Sequence, residues 1–274
     1  MLNLIRMDLY RLLRSKTIRI GAIVALAIAF LGMLFNFGVI ELLKITIQER
    51  PESAAEWRGF LSADWMYGVD FADVVLTGTS ALSLFLSCML VASFVGAEQS
   101  CGYIKNVAGQ LPNRGMTVVS KYIVTCIVQI MVFVIYTIVS IICAFAFFKQ
   151  YIIAYSIGAL VCGLFLRILV FCAINAIVIF FCTFTKSHAI AMVVGAILGI
   201  GITRVLYAAV SGLLGLLKID IDVSKFSPDG LNDLINVYEL TTSNIAVRIV
   251  IVSVIFIAVF VTSAAFVFNK RDVK

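Results

Sequence analysis

Residues 118–148 read VVSKYIVTCIVQIMVFVIYTIVSIICAFAFF, and after Lys149, Gln150 and Tyr151 the run resumes over 152–183 as IIAYSIGALVCGLFLRILVFCAINAIVIFFCT. Each run exceeds the roughly 20 apolar residues that cross about 30 Å of hydrocarbon. Only Lys149 and Gln150 clearly separate them, which predicts a tight hairpin of two membrane helices. Both runs outlast the bilayer, so tilt, extension beyond the membrane or a break is expected.

Four more apolar runs flank the hairpin, at 18–40, 75–97, 189–214 and 246–268. The reading is an all-α integral membrane protein with six transmembrane helices in a single domain over 1–274. Composition agrees: the chain is 62% apolar and 13% charged, whereas a soluble domain is about a quarter charged. Little polar sequence remains for a separate soluble domain. The first run, Ile18 to Ile40, is too long for the apolar region of about 7–15 residues in a signal peptide, so it is expected to be retained.

Residues 1–16 behave differently. Leu2, Ile5, Leu9 and Leu12 recur at spacings of three and four on one helical face, with Arg6, Arg11 and Arg14 on others. Asp8 is spaced to pair with Arg11. Such a basic amphipathic helix is expected to lie in the headgroup plane.

The net charge of +6 is a topology signal, not a nucleic-acid footprint. Arg6, Arg11, Arg14, Lys16 and Arg19 fall on the same predicted side as Lys105, Arg114, Lys121, Lys186, Lys270, Arg271 and Lys274. The opposite loops, 41–73 and 215–245, hold most of the acids. Because Lys and Arg stay inside, both termini are expected in the cytoplasm and these two loops outside. Pro51 predicts a short helix start in the first loop, with Trp57, Phe60, Trp65 and Tyr67 at the interface. Ser227-Pro228-Asp229-Gly230 predicts a turn in the second, followed by an apolar pattern of Leu231, Leu234, Ile235 and Val237.

Several chemistries are missing from the sequence. It contains no GxxxxGK[ST], so no P-loop for ATP, and no HExxH. Its one histidine, His188, follows Ser187 at a predicted helix end and reads as an interfacial residue rather than a hydrolase base. Cys88, Cys101, Cys126, Cys143, Cys162, Cys172 and Cys182 form no CxxC and read as packing residues. No Asp or Glu falls inside a span, which leaves ion-coupled transport without an obvious carrier. Arg167 is the exceptional charge within a span. Placed near the bilayer centre, it is expected to face protein or water, with Asn175 and Gln129 as interior partners. Arg167, with these two, reads as part of a translocation path or gate, or else as a structural residue bonded to backbone carbonyls or to a neighbouring subunit. Arg204 and Arg248 are expected to snorkel. Gly195-x-x-x-Gly199 gives the fifth span a small face for helix packing or dimer contact.

The stretch between the second and third spans is the most specific. It reads Glu98-Gln-Ser-Cys-Gly102-Tyr-Ile104-Lys105-Asn106, continues through Val107 and Leu111 to Pro112-Asn-Arg114, and reaches Ser120-Lys121. Cys101, Ile104, Val107 and Leu111 form one apolar face, and Pro112 ends it, predicting a short amphipathic helix over 98–114.

At Glu98, Gly102, Ile104, Lys105, Asn106, Arg114, Ser120 and Lys121 the sequence resembles the permease subunit of ABC-2 type transporters, above all the small six-helix permeases of peptide export and lantibiotic immunity. Cys101 and Tyr103 depart from the usual polar or Thr residues. About 30 residues carry the motif, while the layout of spans matches over the whole chain. The resemblance implies a permease that exports an amphipathic peptide or lipid-like molecule across a bacterial cell membrane. It implies pairing with a second permease copy or paralogue and with separate ATP-binding subunits that hold the ATP and magnesium, this chain carrying no cofactor and no catalytic residue. Glu98, Gly102, Ile104, Lys105, Val107, Leu111 and Arg114 would couple to the ATPase. The alternative is a non-transporting membrane sensor or assembly factor.

Overall fold

The computed structural model describes residues 2–49, 68–79, 81–100, 115–185, 187–216, 223–242 and 244–270. These are almost wholly helical. We label them α1 (Leu2–Arg14), α2 (Lys16–Glu49), β1 (Val69–Asp70), α3 (Phe71–Gly78), α4 (Ala81–Ser100), α5 (Gly115–Phe147), β2 (Ile152–Ala154), α6 (Ile157–Thr185), α7 (His188–Ile200), α8 (Thr203–Leu216), α9 (Pro228–Asp233), α10 (Val237–Thr242) and α11 (Ile245–Lys270). Among the described residues, five spans are long and apolar enough to cross a membrane: α2, α3–α4, α5, α6 and α11. The count becomes six if α7 and α8 together form one span.

Lipid tails are as apolar as leucine, so burying apolar surface does not choose a helix's neighbours in a membrane. Close backbone approach and polar bonds do. The helices here show both. On α2, Gly21, Ala25, Ala29 and Met33 recur every fourth residue and are buried against α4 and α5. A Cβ on Gly21 would meet the Leu90 side chain of α4 at 2.6 Å. On α7, a Cβ on Gly199 would lie 2.5 Å from the Cα of Phe85, and one on Gly195 would lie 3.3 Å from the Cβ of Cys88. The GxxxG face therefore packs α7 onto α4 within the chain.

Three boundaries differ from the sequence reading. The predicted tight hairpin is a longer connection: residues 149–151 form a 3₁₀ turn, β2 follows, and α6 begins at Ile157 rather than 152. β2 pairs in parallel with β1, Val69 opposite Ile152 and Asp70 opposite Ala154. Asp70 holds the corner, accepting from the N–H of Ala72 at 2.8 Å, from the N–H of Ser156 at 3.1 Å and from the Ser156 hydroxyl. A carboxylate so placed satisfies the first donors of α3, which is why the chain can start a helix there.

In the second span α3 is capped at Thr79, whose N–H bonds the carbonyls of Val75 and Leu76, and α4 begins at Ala81. The fifth is bent by 69° between α7 and α8. Gly201, at φ +80°, takes the left-handed conformation that glycine tolerates. The N–H of Ile202 then bonds the carbonyl of Ile197 at 3.2 Å, closing α7.

Contacts fix which ends meet. At one end, α1 packs on α5 through Leu12, Val124 and Val128, and the Ser120 hydroxyl donates to Asp8 at 3.2 Å. There the N–H of Gly115 also donates to Asn269, near the end of α11, at 2.6 Å. Asp8, paired with Arg11 in the sequence reading, is thus buried against α5, and α1 docks on the bundle by its apolar face. At the other end, the β1–β2 pair, α9 and α10 form a cap.

Candidate functional site

Arg167 lies on α6 and is 2% exposed. A guanidinium surrounded by apolar groups costs several kcal/mol unless its protons find acceptors. One nitrogen donates to the Leu76 carbonyl and to the Thr79 hydroxyl at 2.9 Å. The other donates to the carbonyls of Asn232 at 3.4 Å and Ile235 at 3.3 Å. The acceptors cluster at and just past the C-terminal ends of α3 and α9, where carbonyls carry partial negative charge. Those of Leu76 and Asn232 also accept from the N–H groups of Thr79 and Ile235. Arg167 therefore clamps two helix ends at once. Gly163, one turn earlier, makes room, since a Cβ there would meet Leu76 at 2.9 Å and Leu240 at 3.2 Å.

The cap is pinned by three further carboxylates. Asp73 accepts from the N–H of Val237 at 2.8 Å, at the first turn of α10. Asp229 accepts from the hydroxyl of Thr203 and from that of Tyr207 at 2.9 Å. Asp233 pairs with Arg204 at 2.5 Å. Burial pushes the Asp233 carboxyl up, and the charges of Arg204 and Arg167 only partly oppose this. The predicted turn at 227–230 is the start of α9. Ser227 caps it, accepting from the N–H of Gly230 at 3.2 Å, and Pro228 occupies the first turn, where a missing N–H costs nothing.

The expected trio does not assemble. Asn175 donates to Thr125 at 3.0 Å and to the sulfur of Cys126 at 3.5 Å, tying α6 to α5 two turns away from Arg167. Gln129 is 2% exposed, and neither its amide nitrogen nor its oxygen has a partner among the described residues. With α6 beginning at Ile157, Arg167 lies about 15 Å from that end of the helix at 1.5 Å per residue. Sequence reasoning missed Thr79 and Asn232, and named Asp229 only as part of a turn motif and Ile235 only as part of an apolar pattern.

A second polar interior lies between α2, α3 and α5. It is a cavity of about 190 Å³ lined by Asn36, Thr77, Gly78 and Tyr136, among others. The Tyr136 hydroxyl has no partner among the described residues.

At the opposite end, Ser120 and Lys121 are buried at the start of α5. Glu98 is in the last turn of α4. Gly102, Ile104, Lys105, Asn106, Val107, Leu111 and Arg114, with most of the proposed 98–114 helix, lie outside the described residues, as do Pro51, Trp57, Phe60, Trp65 and Tyr67. Ser187 caps α7, its side chain accepting from the N–H of Ile190. Cys88, Cys143 and Cys182 are buried in the core. Among the described residues, no group of three His, Cys, Asp or Glu side chains is arranged to hold a metal ion.

Comparisons with protein-family models, with curated proteins and with solved structures find no match for this chain.

Proposed function

We propose that this chain is the permease subunit of an ABC-2 type transporter, a membrane bundle driven by separate ATP-binding subunits. The observation that carries the reading is the 98–121 stretch, with Glu98, Gly102, Ile104, Lys105, Asn106, Arg114, Ser120 and Lys121 at the family's spacing. Its setting supports the reading. The segment leaves α4 and enters α5, whose first turns are tied to α1 through Asp8 and to α11 through Asn269. A push on this loop would thus reach three helices. α1 and the last turn of α11 share this end, which in the proposal is cytoplasmic, in the membrane of a bacterial cell.

The substrate in this reading is an amphipathic peptide or a lipid-like molecule, and a second permease copy or paralogue completes the path. Arg167 then serves as the latch of a gate. Releasing the carbonyls of Asn232 and Ile235 would free the cap from α6, with Asn175 and Gln129 further along the same interior. ATP and magnesium belong to the partner subunits.

The test is purification of the tagged chain from its native membrane in mild detergent. The expected result is an ATP-binding subunit in stable ratio and ATP hydrolysis by the complex. Ile104→Asp, which places a carboxylate on the apolar face expected to meet that subunit, should release it, whereas Lys105→Ala should have a mild effect, because an exposed ion pair contributes at most about 1 kcal/mol. Recovery of the chain without any ATPase would favour the sensor or assembly-factor reading.

A further inference from the structure

Arg248 is in the first turn of α11 and is exposed. Among the described residues its guanidinium has no hydrogen-bond or ion-pair partner. This contrasts with Arg204, which has Asp233, and with Arg167, which has four acceptors. Below Arg248 runs a groove of about 630 Å³, with α11 as one wall and Phe226 as the other. The α11 wall is a single helical face. Asn244 and Arg248 stand at its top, and Val247, Ile251 and Ile255 continue below at spacings of three and four. Ile255 lies two turns past Arg248, about 10 Å deeper at 1.5 Å per residue. Val247, Ile251 and Ile255 are each more than half exposed.

The groove thus has a cation and an amide at the membrane boundary and a purely aliphatic floor descending into the hydrocarbon. A phospholipid has the same profile: a phosphate at the boundary and acyl chains beneath it. We propose that an anionic phospholipid occupies this groove. Its phosphate sits on Arg248 and Asn244, and one acyl chain lies along Val247, Ile251 and Ile255 against Phe226. A guanidinium can present two parallel N–H donors to a phosphate, which suits Arg better than Lys at this position. A zwitterionic lipid offers the same chain, but its ammonium group offsets the charge that Arg248 attracts. The site depends on α11 facing lipid and is independent of the permease reading.

The test uses the full chain in phosphatidylcholine vesicles containing a phosphatidylglycerol with a photoreactive diazirine in its acyl chain. After illumination, adducts are mapped by peptide mass spectrometry. Adducts are expected on the peptides carrying 247–255 and Phe226. A photoreactive phosphatidylcholine with the same chain should label them about fivefold less, matching the roughly 1 kcal/mol that one cation contributes at an anionic surface. Arg248→Gln should reduce phosphatidylglycerol labelling to the phosphatidylcholine level while leaving phosphatidylcholine labelling unchanged, which also shows that the fold persists. Ile251→Trp, which fills the groove, should lower labelling by both lipids. Free glycerol phosphate in excess should not compete, because it lacks the chain. Equal labelling by the two lipids, unchanged labelling in Arg248→Gln, or displacement by glycerol phosphate would each overturn the assignment.

Discussion

α6 and α11 pack along each other and are about equally apolar, yet α6 is largely buried and α11 largely exposed. Apolarity cannot explain the difference, because a lipid tail satisfies leucine as well as a neighbouring helix does. The polar residues explain it. α6 carries Arg167 and Asn175, each needing acceptors or donors that hydrocarbon does not supply. The bundle provides them as the ends of α3 and α9 and the Thr125 side of α5. α11 carries its cations, Arg248 and Lys270, in its first and last turns, where the boundaries of the membrane serve. What selects the central helix is where its polar side chains fall.

The largest effect should separate the two arginines. Arg167→Met removes four hydrogen bonds from a charged donor and leaves the Ile235 carbonyl without one, while those of Leu76 and Asn232 keep the bonds from Thr79 and Ile235. A hydrogen bond to a charged group contributes about 1.5–3 kcal/mol. A loss of about 3 kcal/mol or more is expected, read as a lower thermal unfolding midpoint in detergent. Arg248→Gln should stay within about 0.5 kcal/mol of the parent, as exposed positions do. Equal losses would break the comparison.

Two glycines sharpen it further. Gly199→Ala puts a Cβ 2.5 Å from the Phe85 backbone and should cost about 1–3 kcal/mol by overpacking. Gly212→Ala on α8 meets nothing within 4 Å and should be neutral or stabilise by up to about 1 kcal/mol through helix propensity. The same unfolding assay reads both.

A smaller effect is expected at the cap. Asp229→Asn weakens the charged acceptor of Thr203 and Tyr207 and should cost about 1–2 kcal/mol. Tyr207→Phe in that background should add less than it does alone, a coupling that a double-mutant cycle measures.

The smallest effect concerns pH. Burial tends to raise the Asp70 carboxyl, but the hydrogen bond from the Ser156 hydroxyl, with those from the N–H groups of Ala72 and Ser156, leaves it below its ordinary value of 3.8. A lowered folded-state value means that the stabilisation is present above 3.8 and is lost as pH falls through the lower folded value. Asp70→Asn should flatten the acid limb of the stability profile below about pH 4.

The long apolar helices, though not their exact number, were legible because run length is a one-dimensional property, and so was the small face at Gly195 and Gly199, because helix periodicity turns spacing into a surface. The amphipathic face of α1 was legible for the same reason, although its partner, α5, was not. The partners of Arg167 could not be read at all. Three of its four acceptors are backbone carbonyls, which every residue has, and they matter here only because α3 and α9 end where they do. Gly201 was visible as a small residue, but its role in ending α7 depends on a positive φ that spacing does not reveal. Asn175 and Gln129 were correctly expected in the interior, yet helix rotation assigned Asn175 to Thr125 rather than to Arg167.

The account depends on the two ends of the bundle lying on opposite sides of a membrane, with both termini at the inner end. Single cysteines in a background without the native ones test this directly, using an impermeant maleimide on intact cells. Tyr238→Cys, exposed on α10, should be labelled at once. Asn3→Cys on α1 and Lys270→Cys at the end of α11, both exposed, should be labelled only after the membrane is opened. Labelling of Asn3→Cys and Tyr238→Cys from the same side would contradict the account, because α7 and α8 would then not complete a crossing and the cap could not sit opposite the termini.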